Sequence, residues 1–135
     1  MKEKDLMEFM TEKYPQLKPS KGKMCRYDMI SEKALVELKC RYIKKDYGDS
    51  QIEKLKFDKN IELSQGMDKD FYYVVYSQFH NKVYAWNVTK LLKEDYDFGW
   101  CTKRCPATTS FENRTYIDKE VGGLRWGDAH AVWSV

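Results

Sequence analysis

At 135 residues, 42% of them hydrophobic and 15% aromatic, the chain can bury one core without staples and is too apolar to be disordered. A net charge of +3 excludes a dedicated basic coat for nucleic acid, and no apolar run reaches the length of a membrane-spanning helix. A single domain over 1–135 is expected, with no membrane partner.

The charge is unevenly placed. Residues 1–60 hold 15 Lys/Arg against 11 Asp/Glu, whereas residues 61–135 hold 9 against 10. The excess includes Lys18, Lys21, Lys23, Arg26, Arg41, Lys44 and Lys45, compatible with a polyanionic partner. Met1-Lys2-Glu3-Lys4-Asp5 lacks a signal-peptide pattern, so a cytoplasmic location is expected.

Residues 3–14 predict a helix. Leu6, Met10 and Tyr14 recur every four residues, Phe9 adjoins them, and charges fill the other side. Tyr14-Pro15 should end it. Pro15 to Gly22 reads as a loop whose Lys18, Lys21 and Lys23 face solvent or a phosphate backbone.

Two extended runs follow, Met24–Ile30 and Ala34–Tyr42, across the turn Ser31-Glu32-Lys33. Alternation puts Glu37 and Lys39 on one face and Val36, Leu38 and Cys40 on the other. A hairpin centred on the turn sets Asp28 across from Glu37. Two carboxylates and an ammonium then converge, as a divalent metal and a scissile phosphate require. Mg²⁺ prefers carboxylate and water oxygens, and a lysine beside it adds charge where the transition state gathers negative charge. The residues alone also allow a plain amphipathic hairpin, with Arg26, Asp28, Glu37, Lys39 and Arg41 as solvated ion pairs.

Lys44 to Ser50 reads as a polar turn. Ile52–Phe57 leads into a helix running to about Gln65, with Gly66 as its stop. Phe71–Ser77, apolar on both faces, predicts a buried central strand, and Val83–Val88 a second strand after the turn His80-Asn81-Lys82. Thr89 can cap a short helix beginning at Lys90. Helix, two strands, helix, two strands, helix predicts an α/β fold with a single mixed β-sheet flanked by helices. The tail from Gly99 to Val135 is the least readable part.

Cys25 and Cys40 fall on the core-side alternation. Cys101 and Cys105 have a spacing that binds zinc if His80 or His130 joins them, although reduced thiols are the default reading. Trp100, Arg104, Arg125 and Trp126 could contact nucleic acid, with packing as the safer expectation. No internal repeat, Gly-rich phosphate loop or Ser-His-Asp arrangement is evident.

Asp28 followed by Glu37-Leu38-Lys39 resembles the PD-(D/E)xK nuclease superfamily, with Tyr27 where the family places Pro. Ile52, Glu53 and Lys56 resemble the Ile-Glu-x-x-Lys pattern of its small phage-type members. Cys105–Phe111 and Lys119–Gly122 resemble their C-terminal segment, a strand or arm closing over the core. The likeness spans roughly residues 22–125. It implies a restriction-endonuclease-like core of αβββαβ type and a nuclease that hydrolyses phosphodiester bonds, with DNA the favoured substrate. Asp28 and Glu37 would bind Mg²⁺ or Mn²⁺, with the Leu38 carbonyl as a third ligand. Lys39 would orient and activate water or stabilise charge on the phosphate, and Lys56 would face the site. The opening helix could lend Glu8 or Glu12. A place in the host cytoplasm, if the chain is phage-encoded, follows from the same likeness, which leaves open whether two chains pair as a homodimer. The alternative is a catalytically silent binding protein on this fold, acting on nucleic acid or a host protein.

Overall fold

The structure, a computed structural model, describes residues 1–21, 26–107 and 115–135. Helix α1 (Glu3–Lys13) forms where the four-residue stripe predicts it and buries Leu6 and Met10. The next elements are the short strands β1 (Lys18–Pro19) and β2 (Met29–Ile30), then β3 (Ala34–Arg41). The β2–β3 turn is Ser31–Lys33, closed by the Ser31 amide donating to the Ala34 carbonyl at 2.9 Å. Of the expected strand 24–30, the described part, 26–30, forms a strand only at Met29–Ile30; Lys23, Met24 and Cys25 lie outside the described residues, as do residues 108–111 of the Cys105–Phe111 likeness.

Strand β4 (Asp49–Glu53) replaces the end of the expected polar turn, and α2 (Lys54–Gly66) begins within the stretch expected to lead into a helix. The reason is the company Ile52 keeps: it is buried in the core from a strand that pairs with residues 121–125 of the tail. β5 (Asp70–Ser77) and β6 (Lys82–Asn87) follow as expected. Helix α3 (Val88–Lys93) is capped by Asn87, whose side chain accepts from the Lys90 amide at 3.0 Å. Thr89 does not cap it; its hydroxyl accepts from the Phe71 amide and ties α3 to β5. The tail resolves into β7 (Cys101–Pro106), β8 (Tyr116–Arg125), a single 3₁₀ turn (Trp126–Asp128) and β9 (Ala131–Ser134).

The chain is α/β, but it has two sheets rather than one. A six-stranded mixed sheet runs β1-β2-β3-β5-β6-β9, and a three-stranded antiparallel sheet runs β4-β8-β7. β3 and β5 are parallel, the one parallel pairing among the described strands, and the chain between them passes through β4 and α2. Such a pairing needs a long crossover, which buries the central strands on both faces. Accordingly Val36, Leu38, Val74 and Tyr76 pack beneath α1 with Leu6 and Met10. Leu35, Tyr73, Val75 and Trp86 pack on the other face with Phe57 of α2 and Ile52 and Leu124 of the small sheet. The antiparallel small sheet exists because the tail supplies β8, whose length lets it pair with β4 and β7 at once. Among the described residues no helix is long and apolar enough to cross a membrane.

Candidate functional site

The β2–β3 ladder ends at the Met29–Val36 pair, so Asp28 lies one residue beyond β2 rather than in register with Glu37; the charge of its carboxylate nonetheless acts on Glu37. Asp28 is pinned from both sides. Its amide donates to the Val36 carbonyl at 2.8 Å, and its carbonyl accepts from the Ser20 amide at 2.9 Å. Its Oδ2 accepts from the Leu38 amide at 2.7 Å. The N–H and C=O of one residue in an extended strand project to the same edge. The Leu38 carbonyl therefore also lies on the β2 side of β3, beside Asp28.

Glu37 is buried, at 6% exposure, on the face that β3 turns toward Tyr73, its register partner on β5. Burial pushes its carboxyl above the ordinary 4.5; Lys39 opposes that shift and Asp28 adds to it. Lys39 Nζ lies 3.9 Å from Glu37 Oε1. Lys56, in the first turn of α2, is near enough that its charge also draws Glu37 down. Asp28, Glu37, Leu38, Lys39 and Lys56 are thus brought together.

Glu8 and Glu12 are not; both face solvent. The helix instead brings Glu3. Partial burial and the neighbouring Asp28, with which it shares a side-chain hydrogen bond, push its carboxyl up, while Lys39 pulls it down. The signal was present in the sequence: Glu3 precedes Leu6 by three residues and so lies on the same helical stripe.

Glu53 is the second unforeseen carboxylate. It pairs with Lys119 Nζ at 3.0 Å and Lys56 Nζ at 3.7 Å. Burial alone would raise it, but the Lys119 hydrogen bond and the charges of Lys56, Lys119 and Lys39 hold it below 4.5. Next to it, Arg41 Nη2 donates to the Gln51 carbonyl at 2.8 Å and to the Tyr73 hydroxyl at 3.2 Å. Burial, with Arg41 opposing, drives the Tyr73 hydroxyl far above its usual value, so it stays neutral.

Among the described residues no group of three or more His, Cys, Asp or Glu side chains is placed to hold a metal ion. Asp28 and Glu37 offer carboxylate oxygens, the donor type that a hard cation keeping several waters prefers. Crowded carboxylates, one buried and two sharing a hydrogen bond, gain most from such an ion. The zinc reading is corrected. Cys101 and Cys105 are four residues apart on a straight strand, about 13 Å. His80 is bonded to Ser77 and Asp46, and His130 Nδ1 accepts from the Asn87 amide.

A Ser-His-Asp chain does exist, contrary to expectation. Ser77 Oγ lies 2.7 Å from His80 Nδ1, and His80 Nε2 lies 3.2 Å from Asp46 Oδ2. Ser77 is only 3% exposed and its hydroxyl already serves the His80 amide. The chain staples the β5–β6 turn to the loop after β3 and offers no accessible nucleophile. Trp100 packs on Phe57 and Phe98, and Trp126 on His80, Tyr84 and Trp86, so both belong to packing. Arg125 pairs with Asp128, and Arg104 lies 3.8 Å from Asp118. A cavity of about 300 Å³ lies under α1, lined by Met10, Tyr14, Val36, Tyr72 and Trp133, and shares no residue with the carboxylate cluster.

The chain has no significant match among protein-family models, curated proteins or solved structures.

Proposed function

We propose that the chain is a metal-dependent nuclease that hydrolyses phosphodiester bonds in nucleic acid, with DNA the favoured substrate. The observation that carries this reading is the Asp28 carboxylate held on the Leu38 amide at the end of the β2–β3 hairpin, close enough to act on buried Glu37, with Lys39 3.9 Å from Glu37. The finer fold reading, a restriction-endonuclease-like core, is supported by the opening helix, the hairpin and the parallel β3–β5 pair joined through α2.

Asp28, Glu37 and the Leu38 carbonyl would hold Mg²⁺ or Mn²⁺, with Glu3 within reach through its contact with Asp28. When bound, the ion supplies Lewis acidity and an acidified water. Lys39 orients that water and offsets negative charge on the phosphate. Lys56 places a second ammonium on the α2 side of Glu37. Leu38, between Glu37 and Lys39 in the chain, is buried on the opposite face of β3 beneath α1 and anchors the strand that carries both.

The test is cleavage of supercoiled plasmid, single-stranded DNA and RNA by wild type, Glu37→Ala and Lys39→Ala, each with Mg²⁺, Mn²⁺ or EDTA. Metal-dependent cutting that both variants lose is the expected result. Cutting that survives Glu37→Ala would sink the assignment. No cutting by wild type would turn the reading to the silent binder.

A further inference from the structure

The β7–β8 hairpin treats its two faces differently. Arg104 stands opposite Asp118 and Thr102 opposite Glu120, so one face carries ordinary complementary pairs. The next position in the register sets Lys103 directly opposite Lys119, on the other face. Like charges directly opposed across two strands are destabilising. Each of these lysines is turned to the candidate site: Lys119 to Glu53 at 3.0 Å, and Lys103 to Gln51 Oε1 at 3.5 Å.

Glu53 is already shared with Lys56 at 3.7 Å. Three ammoniums, Lys56, Lys103 and Lys119, therefore surround one carboxylate and one neutral amide oxygen. They come from α2, β7 and β8, so the tertiary fold assembles them round Glu53 and Gln51; Lys56 also acts on Glu37, and Lys39 acts on Glu53. Unbalanced positive charge at one spot is an electrostatic cost to the free protein, and a polyanion removes it.

Resting on the nuclease reading above, we propose that Lys103 and Lys119 form a cross-strand clamp for a backbone phosphate flanking the one that reacts. In the free protein Glu53 and Gln51 hold the two ammonium groups in place. A phosphodiester then takes over part of their hydrogen bonding, with its charge met from two strands at once. The β7–β8 hairpin is thereby the element that seats the nucleic-acid strand against the carboxylates.

The experiment is fluorescence anisotropy of labelled single-stranded and duplex DNA, with Ca²⁺ replacing Mg²⁺, over a range of salt. Wild type is compared with Lys103→Gln, Lys119→Gln, Lys119→Arg and Lys93→Gln, the last an exposed lysine at the end of α3. Each clamp variant should weaken binding about 3- to 10-fold and lower the slope of log K against log salt by about 0.7–0.9, one phosphate contact. Lys119→Arg should restore binding, and Lys93→Gln should change it less than about twofold. Curves for Lys103→Gln and Lys119→Gln that superimpose on wild type overturn the clamp. If thermal melting shows that Lys119→Gln does not fold, Lys103→Gln alone decides.

The two readings fail separately. Wild-type-like binding and cutting by the lysine variants, with cutting lost in Glu37→Ala, removes the clamp and keeps the nuclease. Loss of binding in the lysine variants, with no cutting by wild type, keeps the clamp and removes the nuclease. No binding by wild type removes both.

Discussion

The Leu38 amide donates to Asp28 Oδ2 at 2.7 Å, so the residue between Glu37 and Lys39 holds the carboxylate that faces them. One backbone hydrogen bond thus ties the Asp28 side chain, just ahead of β2, to the strand that carries Glu37 and Lys39. It also gives Asp28 two roles, as a structural acceptor and as a candidate metal ligand.

Conservative and drastic substitutions separate those roles. Asp28→Asn keeps an oxygen for Leu38, so its urea unfolding free energy should stay within about 0.5 kcal/mol of wild type. Cleavage should nonetheless fall about 100-fold or more, because the charge toward the cation is gone. Asp28→Ala should lose cleavage and also about 1–3 kcal/mol, the cost of an amide left unpaired. Equal stability of the two variants would show that the hydrogen bond carries no weight.

Glu37 ties stability to pH. Its carboxyl is held above 4.5 by burial, with Asp28 adding to the shift and Lys39 opposing it, so the folded state favours its protonated form. The stability this contributes is full below about 4.5 and is lost as pH rises through the raised value. Glu37→Gln should therefore raise the melting temperature at pH 7 by roughly 2–5 °C and flatten its decline between pH 4 and pH 7. Added Mg²⁺ should raise the melting temperature of wild type and not of the variant. A variant that melts below wild type at pH 7 would contradict this account.

Glu53 has the opposite sign. Its carboxyl is held below 4.5, so the stability it contributes is present above that value and lost as pH falls through the depressed one. Glu53→Gln should cost up to about 1 kcal/mol at pH 7 and bring the difference close to zero in strong acid. Removing the one carboxylate among Lys56, Lys103 and Lys119 should also tighten DNA binding a few-fold at low salt, an effect lost at high salt. Anisotropy at two salt concentrations reads this directly.

The small sheet depends on a glycine. A Cβ on Gly122 would lie 2.8 Å from the Phe98 carbonyl oxygen and from the Trp100 ring. That carbonyl is fixed by the Gly123 amide at 2.8 Å and cannot retreat. Gly122→Ala should cost about 1–3 kcal/mol in urea unfolding. Gly127, with open space around its Cβ position, should tolerate the same change with little effect.

Local chemistry was sufficient for the first half of the candidate site. Strand alternation placed Glu37 and Lys39 on one face, and the three-residue turn set the Met29–Val36 pairing that leaves Asp28 at the end of the hairpin, because both depend only on residues within one hairpin. The helical period likewise gave α1, and the doubly apolar run gave β5 as a central strand. Glu3 was readable from the same period, three residues before Leu6, and is recovered once the stripe is extended backward. Glu53, Lys103 and Lys119 were not readable as a group. Lys119 lies 66 residues from Glu53, and the pair exists because β8 reaches back to β4. The second sheet has the same origin: nothing local to Asp49–Glu53 specifies a strand until a distant partner satisfies its backbone. Period and alternation act over a few residues, so the sequence by itself determined which side chains share a strand or helix face. Only the tertiary structure decided which distant charges would meet, because burial and long-range backbone pairing bring them together.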